Sequence, residues 1–256
     1  MQPPADFNLR ATVRSHGWSD LPPFETDERG SWLVIRTPEG RVTVREGGIS
    51  APTRGLKQVA ATCLRFDLDL SEFWALCRED PDLTWAPREK AGRFLRAPTA
   101  FADAVMILAT TNCTWALTKK MLRDLVATYG EDGAFPTKQR LARVRKFGFG
   151  YRDPYLAALA RGPDLECYRT DERPTGEIRK ELLALPGFGP YAVDNFLRSI
   201  GRFDGFAIDS MVRTRWKQRY PRRKPDNKSI GRRFAKFGEW RGLALWLFLT
   251  EYLYER

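Results

Sequence analysis

The chain has 256 residues, of which 43% are hydrophobic, so it can bury a sizeable core and is not disordered as a whole. It carries 43 lysines and arginines against 32 aspartates and glutamates, and the formal net charge of +11 favours a polyanionic partner. A single histidine, His16, excludes any site built from several imidazoles, and four cysteines without a C-x-x-C pair exclude a zinc ribbon or a locally spaced iron–sulfur loop.

The start of the chain, MQPPADFNLR, lacks the charged and apolar regions of a signal peptide. The longest apolar run, residues 243–249, is too short to span a bilayer. We therefore expect a cytoplasmic protein without a membrane partner, associated with the nucleoid in a bacterium or located in the nucleus of a eukaryote. The cysteines are expected to be reduced, buried thiols, and His16 is expected at the surface.

The first fifty residues predict a small antiparallel sheet. Residues 31–36 and 41–46 are rich in β-formers, and residues 37–40 supply a turn between them. Residues 7–12 are a candidate third strand. From residue 56 onward the apolar spacing is helical in these segments: 56–65, 70–78, 99–111, 113–129, 137–143, 153–161, 174–184, 190–200, 208–219 and 239–255.

These patterns predict a mostly α-helical fold with a small N-terminal antiparallel β layer, an α+β class. We divide the chain into an N-terminal β-containing domain, residues 1–95, and a helical domain, residues 96–256, which ends in a basic segment and a closing helix.

The most informative stretch is a short turn between two helical segments. It reads Leu185-Pro186-Gly187-Phe188-Gly189, and Pro190 suits the first turn of the helix that follows. The glycines permit positive φ and expose successive backbone N–H groups. Such groups at a helix N-terminus bind a phosphate without reading sequence, so the pattern predicts a phosphate-binding helical hairpin.

Eighteen residues after Tyr191 comes Asp209, at the start of the next helical segment. An aspartate there is most often a helix N-cap. A carboxylate held beside a phosphate-binding hairpin can also stabilise a cationic transition state and orient a water molecule.

The hairpin together with Asp209 resembles the helix-hairpin-helix Gly/Pro–Asp (HhH-GPD) superfamily of DNA glycosylases. Two further segments resemble its 8-oxoguanine branch: residues 147–152, which read FGFGYR, and residues 110–114, which read TTNCT. The β-rich N-terminus also suits the 8-oxoguanine and 3-methyladenine (alkyladenine) branches. The resemblance covers residues 95–220 well and the N-terminal region loosely.

The resemblance implies an enzyme of base-excision repair that flips a damaged nucleotide out of duplex DNA into a pocket. Asp209 would stabilise the oxocarbenium-like sugar as the base leaves and orient the attacking water. Tyr191 is the second expected catalytic-site residue. It stands one residue beyond the hairpin, where bifunctional members place a Schiff-base lysine, and a phenol cannot form an imine. We therefore expect a monofunctional glycosylase with at most weak lyase activity, unless Lys119, Lys120 or Lys180 reaches the site.

The resemblance also implies which residues contact DNA. The hairpin would hold the backbone, Asn112 and Tyr151 would fill the gap in the base stack, and Arg152 would be retained from the family turn. From the residues alone, Tyr151 suits a core position equally well and Asn112 suits a helix cap. Including the basic segment, the expected DNA-binding residues are Leu185, Gly187, Phe188, Gly189, Asn112, Tyr151, Arg152, Arg213, Arg222, Arg223 and Lys224.

That basic segment, residues 211–240, holds eleven basic and two acidic residues, a net charge of +9 that accounts for most of the excess in the chain. It begins two residues after Asp209, so we expect it to follow the DNA backbone. A charge run of this kind is otherwise a solvated face.

The excised base stays open between an alkylated purine and 8-oxoguanine. The family arginine that reads the orphaned cytosine is replaced by Leu117, and this replacement favours alkylated bases as the substrate. The GYR turn favours oxidised guanine instead. The expected partner is double-stranded DNA bound by a monomer. No cofactor or catalytic metal is expected, and a structural monovalent or divalent cation at the hairpin carbonyls is left open. The alternative is a non-catalytic DNA-binding protein that uses the hairpin as a phosphate clamp.

Overall fold

A computed structural model describes residues 2–254. Its N-terminal part holds a four-stranded antiparallel sheet in the order β1-β2-β3-β4. The strands are β1 (Phe24–Thr26), β2 (Trp32–Thr37), β3 (Gly40–Arg45) and β4 (Gly48–Ser50). The predicted hairpin is confirmed, with Thr37 opposite Gly40 at the turn. One face of the sheet is fully buried through Leu33, Ile35, Val42 and Val44.

The third strand predicted over residues 7–12 is wrong. The chain there forms a short helix, α1 (Leu9–Val13), because the side chain of Asn8 accepts a hydrogen bond from the Ala11 amide at 3.1 Å and caps the helix. Leu9 and Val13 pack under the sheet, and the strand that pairs with the hairpin is β1.

Helices make up the rest of the fold, and every segment predicted to be helical contains one. They are α2 (Arg54–Cys63), α3 (Ser71–Arg78), α4 (Trp85–Arg88), α5 (Ala100–Thr110), α6 (Trp115–Tyr129), α7 (Lys138–Leu141), α8 (Asp153–Arg161), α9 (Thr175–Leu183), α10 (Pro190–Ile200), α11 (Ser210–Arg219), α12 (Asn227–Phe234) and α13 (Arg241–Thr250). Short 3-10 turns lie at Gly17–Asp20, Gly150–Arg152, Glu166–Arg169, Ala235–Trp240 and Glu251–Leu253. Helices α4 and α12 were not predicted.

Helix α5 is the centre of the main core. All residues from Ala100 to Ala109 are buried, as expected for a helix that is covered on every side. Helices α6, α8 and α10 pack against it. The buried face of α10 therefore packs on α5, and this packing fixes the position of the hairpin that precedes α10.

A second core joins distant parts of the chain. Residues between Leu70 and Phe94 pack with residues between Phe203 and Leu249, whereas Leu95 packs with the sheet. The hydrophobic clusters thus do not follow the division at residue 95, and the two-domain assignment stays a prediction. Within residues 2–254, no helix has the length and apolar character needed to cross a membrane.

Two of the four cysteines are buried, as expected, and the other two are not. Cys63 and Cys77 are buried, and burial raises the pKa of each thiol to about 12. Cys113 is half-buried and Cys167 is exposed. All four are free thiols, so no disulfide contributes to the fold.

Candidate active site

The hairpin between α9 and α10 needs a glycine at position 187 for two reasons. Its φ is +82°, in the left-handed region, and a Cβ there would lie 2.6 Å from Cγ of Tyr155. Gly189 differs, because its φ is −76° and a Cβ there would meet no atom within 4 Å. The positive φ that a glycine permits is thus adopted at Gly187 and not at Gly189, whose lack of a side chain leaves open space beside its backbone.

The first turn of α10 is open to an anion. Gly189 is the N-cap and no side chain caps the helix, while Pro190 occupies the first turn. The neighbouring Phe188 is buried and packs edge-on against Phe196, with ring centroids 6.1 Å apart. The Phe188 side chain therefore anchors the hairpin in the core, so any contact of this residue with DNA must use its backbone. Leu185 is half-buried against the same core.

Asp209 lies at the start of α11. The chain leaves α10 at Gly201, whose φ of +100° ends the helix, and turns back over residues 202–208. The Asp209 carboxylate then caps α11, because its Oδ1 accepts a hydrogen bond from the Val212 amide at 2.9 Å. No ion pair engages this carboxylate among residues 2–254, so the capping role leaves its second oxygen available.

Asp209 and Tyr191 line the same small pocket, which joins the first turn of α10, the start of α11 and helix α13. Its wall consists of Tyr191, Asn195, Arg198, Ala207, Asp209, Val212, Leu245, Trp246 and Leu249. The volume of about 20 Å³ is far below that of ordinary ligand pockets, which are on the order of 300–1,000 Å³. A base can enter only if some of these side chains move.

Tyr191 occupies the position at which the resemblance places a lysine. Its side chain is 41% exposed, and partial burial together with the negative charge of Asp209 raises the pKa of the phenol, so it is neutral at neutral pH. No lysine lines the pocket. Lys119, Lys120 and Lys180 therefore do not lie at the site in this conformation.

Arg198 is the main residue of the pocket that the sequence analysis missed. Its guanidinium is buried, lies 4.8 Å from the ring centroid of Trp246, and donates from Nη1 to Asn195 Oδ1 at 3.0 Å. Burial lowers its pKa to about 10, so it keeps its charge at neutral pH. The sequence did contain a signal for Arg198, because residues 191, 195 and 198 have the spacing that puts them on one face of the helix after the hairpin.

His16 packs against Phe94 and is half-buried, where an exposed surface position was expected. Its Nε2 lies 2.7 Å from the Leu95 carbonyl oxygen, and its Nδ1 accepts a hydrogen bond from the Trp18 amide at 3.1 Å. Burial lowers the pKa of the imidazole to about 3, so the ring is neutral. The indole N–H of Trp246 donates to the Ser15 carbonyl at 3.0 Å. The N-terminal segment thus supports the pocket wall.

A continuous set of contacts connects the predicted DNA-binding segments. Tyr155, whose ring lies under Gly187, packs edge-on against Tyr151 with centroids 6.5 Å apart. The guanidinium of Arg152 lies 4.4 Å from the Tyr151 ring centroid and donates to the hydroxyl and carbonyl oxygens of Thr111. Asn112 follows directly, exposed and with φ of +46°. Tyr151 is 57% exposed, so it is not a core residue.

Arg152 itself corrects the sequence analysis. It was expected to contact DNA, but it is only 4% exposed and its polar atoms are directed to Thr111. Its role in this structure is to support Tyr151 and the turn that presents Asn112, and direct contact with a phosphate would require it to leave this position.

The basic segment divides into internal and free cations. Arg219, Arg233 and Lys236 form ion pairs with the buried carboxylates Asp80 and Asp82. Arg215 pairs with Glu251 at 2.8 Å. The guanidinium of Arg213 donates to the Pro225 carbonyl and the Asn227 side chain, so this predicted DNA contact is occupied by a structural one.

Six cations of the segment are exposed and form no ion pair with the part of the chain that the structure describes. They are Lys217, Arg222, Arg223, Lys224, Lys228 and Arg232. Arg223 lies 5.0 Å from the ring centroid of Tyr220. The charge available to a polyanion is therefore smaller than the sequence count suggests and is concentrated around the turn between α11 and α12.

No group of three or more His, Cys, Asp or Glu side chains among the described residues could hold a metal ion. A cation at the hairpin carbonyls is a separate matter, which stays a prediction.

No family model matches the chain, and no curated protein matches its sequence. Solved structures do share its fold. The 8-oxoguanine glycosylase/lyase of Clostridium acetobutylicum, in its apo form, is 21% identical with a TM-score of 0.76, covering 95% of this chain and 93% of that one. The same enzyme with double-stranded DNA containing cytosine opposite 8-oxoguanine gives 20% identity, a TM-score of 0.75, and coverage of 96% and 92%.

The 3-methyladenine DNA-glycosylase of Archaeoglobus fulgidus is 17% identical with a TM-score of 0.77, and the match covers 98% of each chain. At these identities the similarity establishes the fold. The predicted class, a mostly helical HhH-GPD glycosylase fold with a small N-terminal antiparallel sheet, is confirmed.

Proposed function

We propose that this protein is a DNA N-glycosylase that removes a damaged base from double-stranded DNA by hydrolysis. The single observation that carries the proposal is the position of Asp209. Its carboxylate, without an ion pair among residues 2–254, faces the first turns of α10 in one pocket with Tyr191, directly beyond the hairpin. A negative charge held there can stabilise the sugar cation that forms as the base leaves.

In the proposed reaction, the electron pair of the N-glycosidic bond departs with the base. Asp209 stabilises the positive charge on the sugar and orients the water molecule that adds to C1′, and that water loses one proton to the carboxylate or to solvent. Tyr191 offers no amine, so the reaction ends at an intact abasic site. Absence of lyase activity is part of the proposal, because some similar structures are of glycosylase/lyases.

The partner that we propose is duplex DNA. The open amides at Gly189 and the first turn of α10 suit a phosphate, and Tyr151 and Asn112 stand exposed on the same connected surface. The exposed cations Arg222, Arg223 and Lys224 would bind the backbone further along. We further propose that the protein acts as a monomer. Its location would be the nucleoid in the cytoplasm of a bacterium, or the nucleus of a eukaryote.

The substrate that we propose is an alkylated purine or 8-oxoguanine. Enzymes for both kinds of lesion share the fold. Leu117, at the position that the resemblance assigns to an arginine reading cytosine, is 44% exposed and apolar. We therefore expect little preference for cytosine opposite the lesion, whichever base is removed.

The experiment uses a panel of duplexes that each carry one oxidised, deaminated or alkylated base. The protein is incubated with each, and strands are separated with and without alkali. A strand that is cut only after alkali supports the hydrolytic proposal and identifies the substrate. A strand cut without alkali would contradict the absence of lyase activity. Tight duplex binding with no base released, from the panel or from oxidised and methylated genomic DNA, would favour the non-catalytic clamp.

A further inference from the structure

The pocket beside Asp209 contains a buried positive charge that the reaction described so far does not use. Arg198 is 5% exposed, yet it makes no ion pair with the residues that the structure describes. The one hydrogen bond of its guanidinium within that part of the chain is to the neutral amide of Asn195 at 3.0 Å. A buried cation is costly unless something offsets it, so this group needs an explanation.

Two aromatic rings hold the guanidinium in place. It lies 4.8 Å from the ring centroid of Trp246 and 5.6 Å from that of Phe94. His16 packs against Phe94 with centroids 5.2 Å apart, and the Trp246 indole is fixed by its bond to Ser15. The cation therefore sits on a rigid wall, and the face of Trp246 toward it is already engaged in a cation–π contact.

The nearby acids do not cancel this charge by contact. Asp194 forms its ion pair with Arg179 at 2.5 Å, and Asp209 is bonded to the Val212 amide. The neighbouring imidazole of His16 is neutral. The pocket is thus lined by a carboxylate, Asp209, and by a cation, Arg198, that form no ion pair with each other.

These two charges match one class of base and oppose another. When a neutral base leaves, the bond electrons make it an anion unless it is protonated, so a fixed cation stabilises its departure while Asp209 stabilises the sugar. A cationic alkylated purine leaves as a neutral molecule and gains nothing from Arg198. It is repelled on entry, and it cannot stack on the indole face that Arg198 occupies.

We propose that Arg198 is a specificity-determining residue, which makes the pocket accept neutral damaged bases that leave as anions and reject cationic alkylated purines. This inference rests on the proposed glycosylase function. Of the two substrates proposed above it selects 8-oxoguanine over alkylated purines, and it extends the class to deaminated purines, which are also neutral before they leave. It reverses the leaning toward alkylated bases that Leu117 suggested in the sequence.

The test compares two rates for each protein under single-turnover conditions. The neutral substrates are duplexes with one 8-oxoguanine or one hypoxanthine, and the cationic substrate is duplex DNA methylated with dimethyl sulfate, from which released 7-methylguanine and 3-methyladenine are measured above spontaneous loss. The readout is the ratio of the neutral to the cationic rate. This ratio does not depend on the fraction of protein that is folded.

Arg198→Met removes the charge but keeps an unbranched apolar chain over the indole. We expect it to lower the neutral-base rate by roughly 10²- to 10³-fold, with the cationic-base rate unchanged or higher. Arg198→Lys retains a charge and should keep a ratio that favours neutral bases. The matched control is Arg93→Met, at a buried arginine that lies 5.9 Å from the Trp74 ring outside the pocket, and it should leave the ratio unchanged.

The outcomes separate the two proposals. If the wild type releases bases but prefers the cationic ones, or if Arg198→Met changes both rates by the same factor, the role of Arg198 is wrong while the glycosylase function stands. If the wild type releases none of the neutral or cationic bases, the glycosylase function is wrong and this inference falls with it.

Discussion

Replacing Gly187 by alanine should destabilise the protein, and the structure gives the size of the effect. An L-residue held at the left-handed φ of +82° costs about 1–2 kcal/mol. The new Cβ would also lie 2.6 Å from the Tyr155 ring, and an overpacked methyl group of this kind costs about 1–3 kcal/mol. The expected loss in the free energy of unfolding is therefore roughly 2–5 kcal/mol.

The matched control is Gly189→Ala in the same hairpin. Its φ of −76° suits any residue and its Cβ meets no atom within 4 Å, so the free energy of unfolding should change by less than about 0.5 kcal/mol. The added methyl group would instead stand where a phosphate approaches the amides. We thus expect Gly189→Ala to weaken duplex binding while it leaves stability intact.

Urea denaturation followed by tryptophan fluorescence measures the stabilities, and titration of labelled duplex measures the affinities of the folded proteins. A Gly187→Ala variant as stable as the wild type would refute the backbone strain and overpacking assigned to position 187. A Gly189→Ala variant that binds DNA with wild-type affinity would show that the hairpin amides do not contact the DNA backbone.

Three further perturbations test other parts of the account. The first changes three exposed cations to glutamine, namely Arg222, Arg223 and Lys224. The slope of log K against log salt should fall by about 2–3 without a change in lesion preference, and an unchanged slope would show a merely solvated surface. Tyr191→Lys should gain an adduct with lesion DNA that borohydride traps, whereas stoichiometric trapping of the wild type would contradict its monofunctional assignment. Arg233→Met leaves buried Asp80 and Asp82 with fewer partners and should cost about 3–5 kcal/mol at neutral pH. Burial raises the pKa of each aspartate, but hydrogen bonds from their cationic and phenolic partners outweigh burial and lower the pKa below its ordinary value. Urea titration measures the stability difference between Arg233→Met and the wild type. This difference should be complete at neutral pH and should shrink as the pH falls below about 3.9 and through the lowered pKa values. A difference that does not change with pH would show that these ion pairs are not its source.

The sequence allowed most of the helical fold to be predicted, because helices with a clear apolar stripe carry their own signal. Helix α12 escaped because its apolar signal is only Ile230 and Phe234 within a run of cations, and because the capping role of Asp226 is evident only once the helix is known. Residues 7–12 were mistaken for a strand because a five-residue helix has too few turns to show its period.

The candidate site could be predicted where it depends on local chemistry and not where it depends on distant partners. The hairpin and Asp209 lie within one short stretch, residues 185–209, and together they carried the resemblance from which the site was predicted. Arg152 and Arg213 looked like DNA contacts because nothing in the sequence reveals that Thr111 and Asn227 engage them. Arg198 was missed because its environment comes from Phe94 and Trp246, which lie about a hundred and about fifty residues away along the chain.

The carboxylate of Asp209 is the group on which the proposed reaction depends most directly, and Asp209→Asn tests its role. Asparagine caps a helix as well as aspartate does, so the fold should be unchanged. Asp226→Asn, at the N-cap of α12, makes the same chemical change away from the pocket. The measurement is the single-turnover rate of base release from the lesion duplex that the wild type cleaves, with duplex affinity determined in parallel.

We predict that Asp209→Asn binds the duplex as tightly as the wild type, or more tightly, and releases the base at least about 10²-fold more slowly, while Asp226→Asn behaves as the wild type. Release by Asp209→Asn at the wild-type rate would contradict the central claim that this carboxylate stabilises the departing sugar.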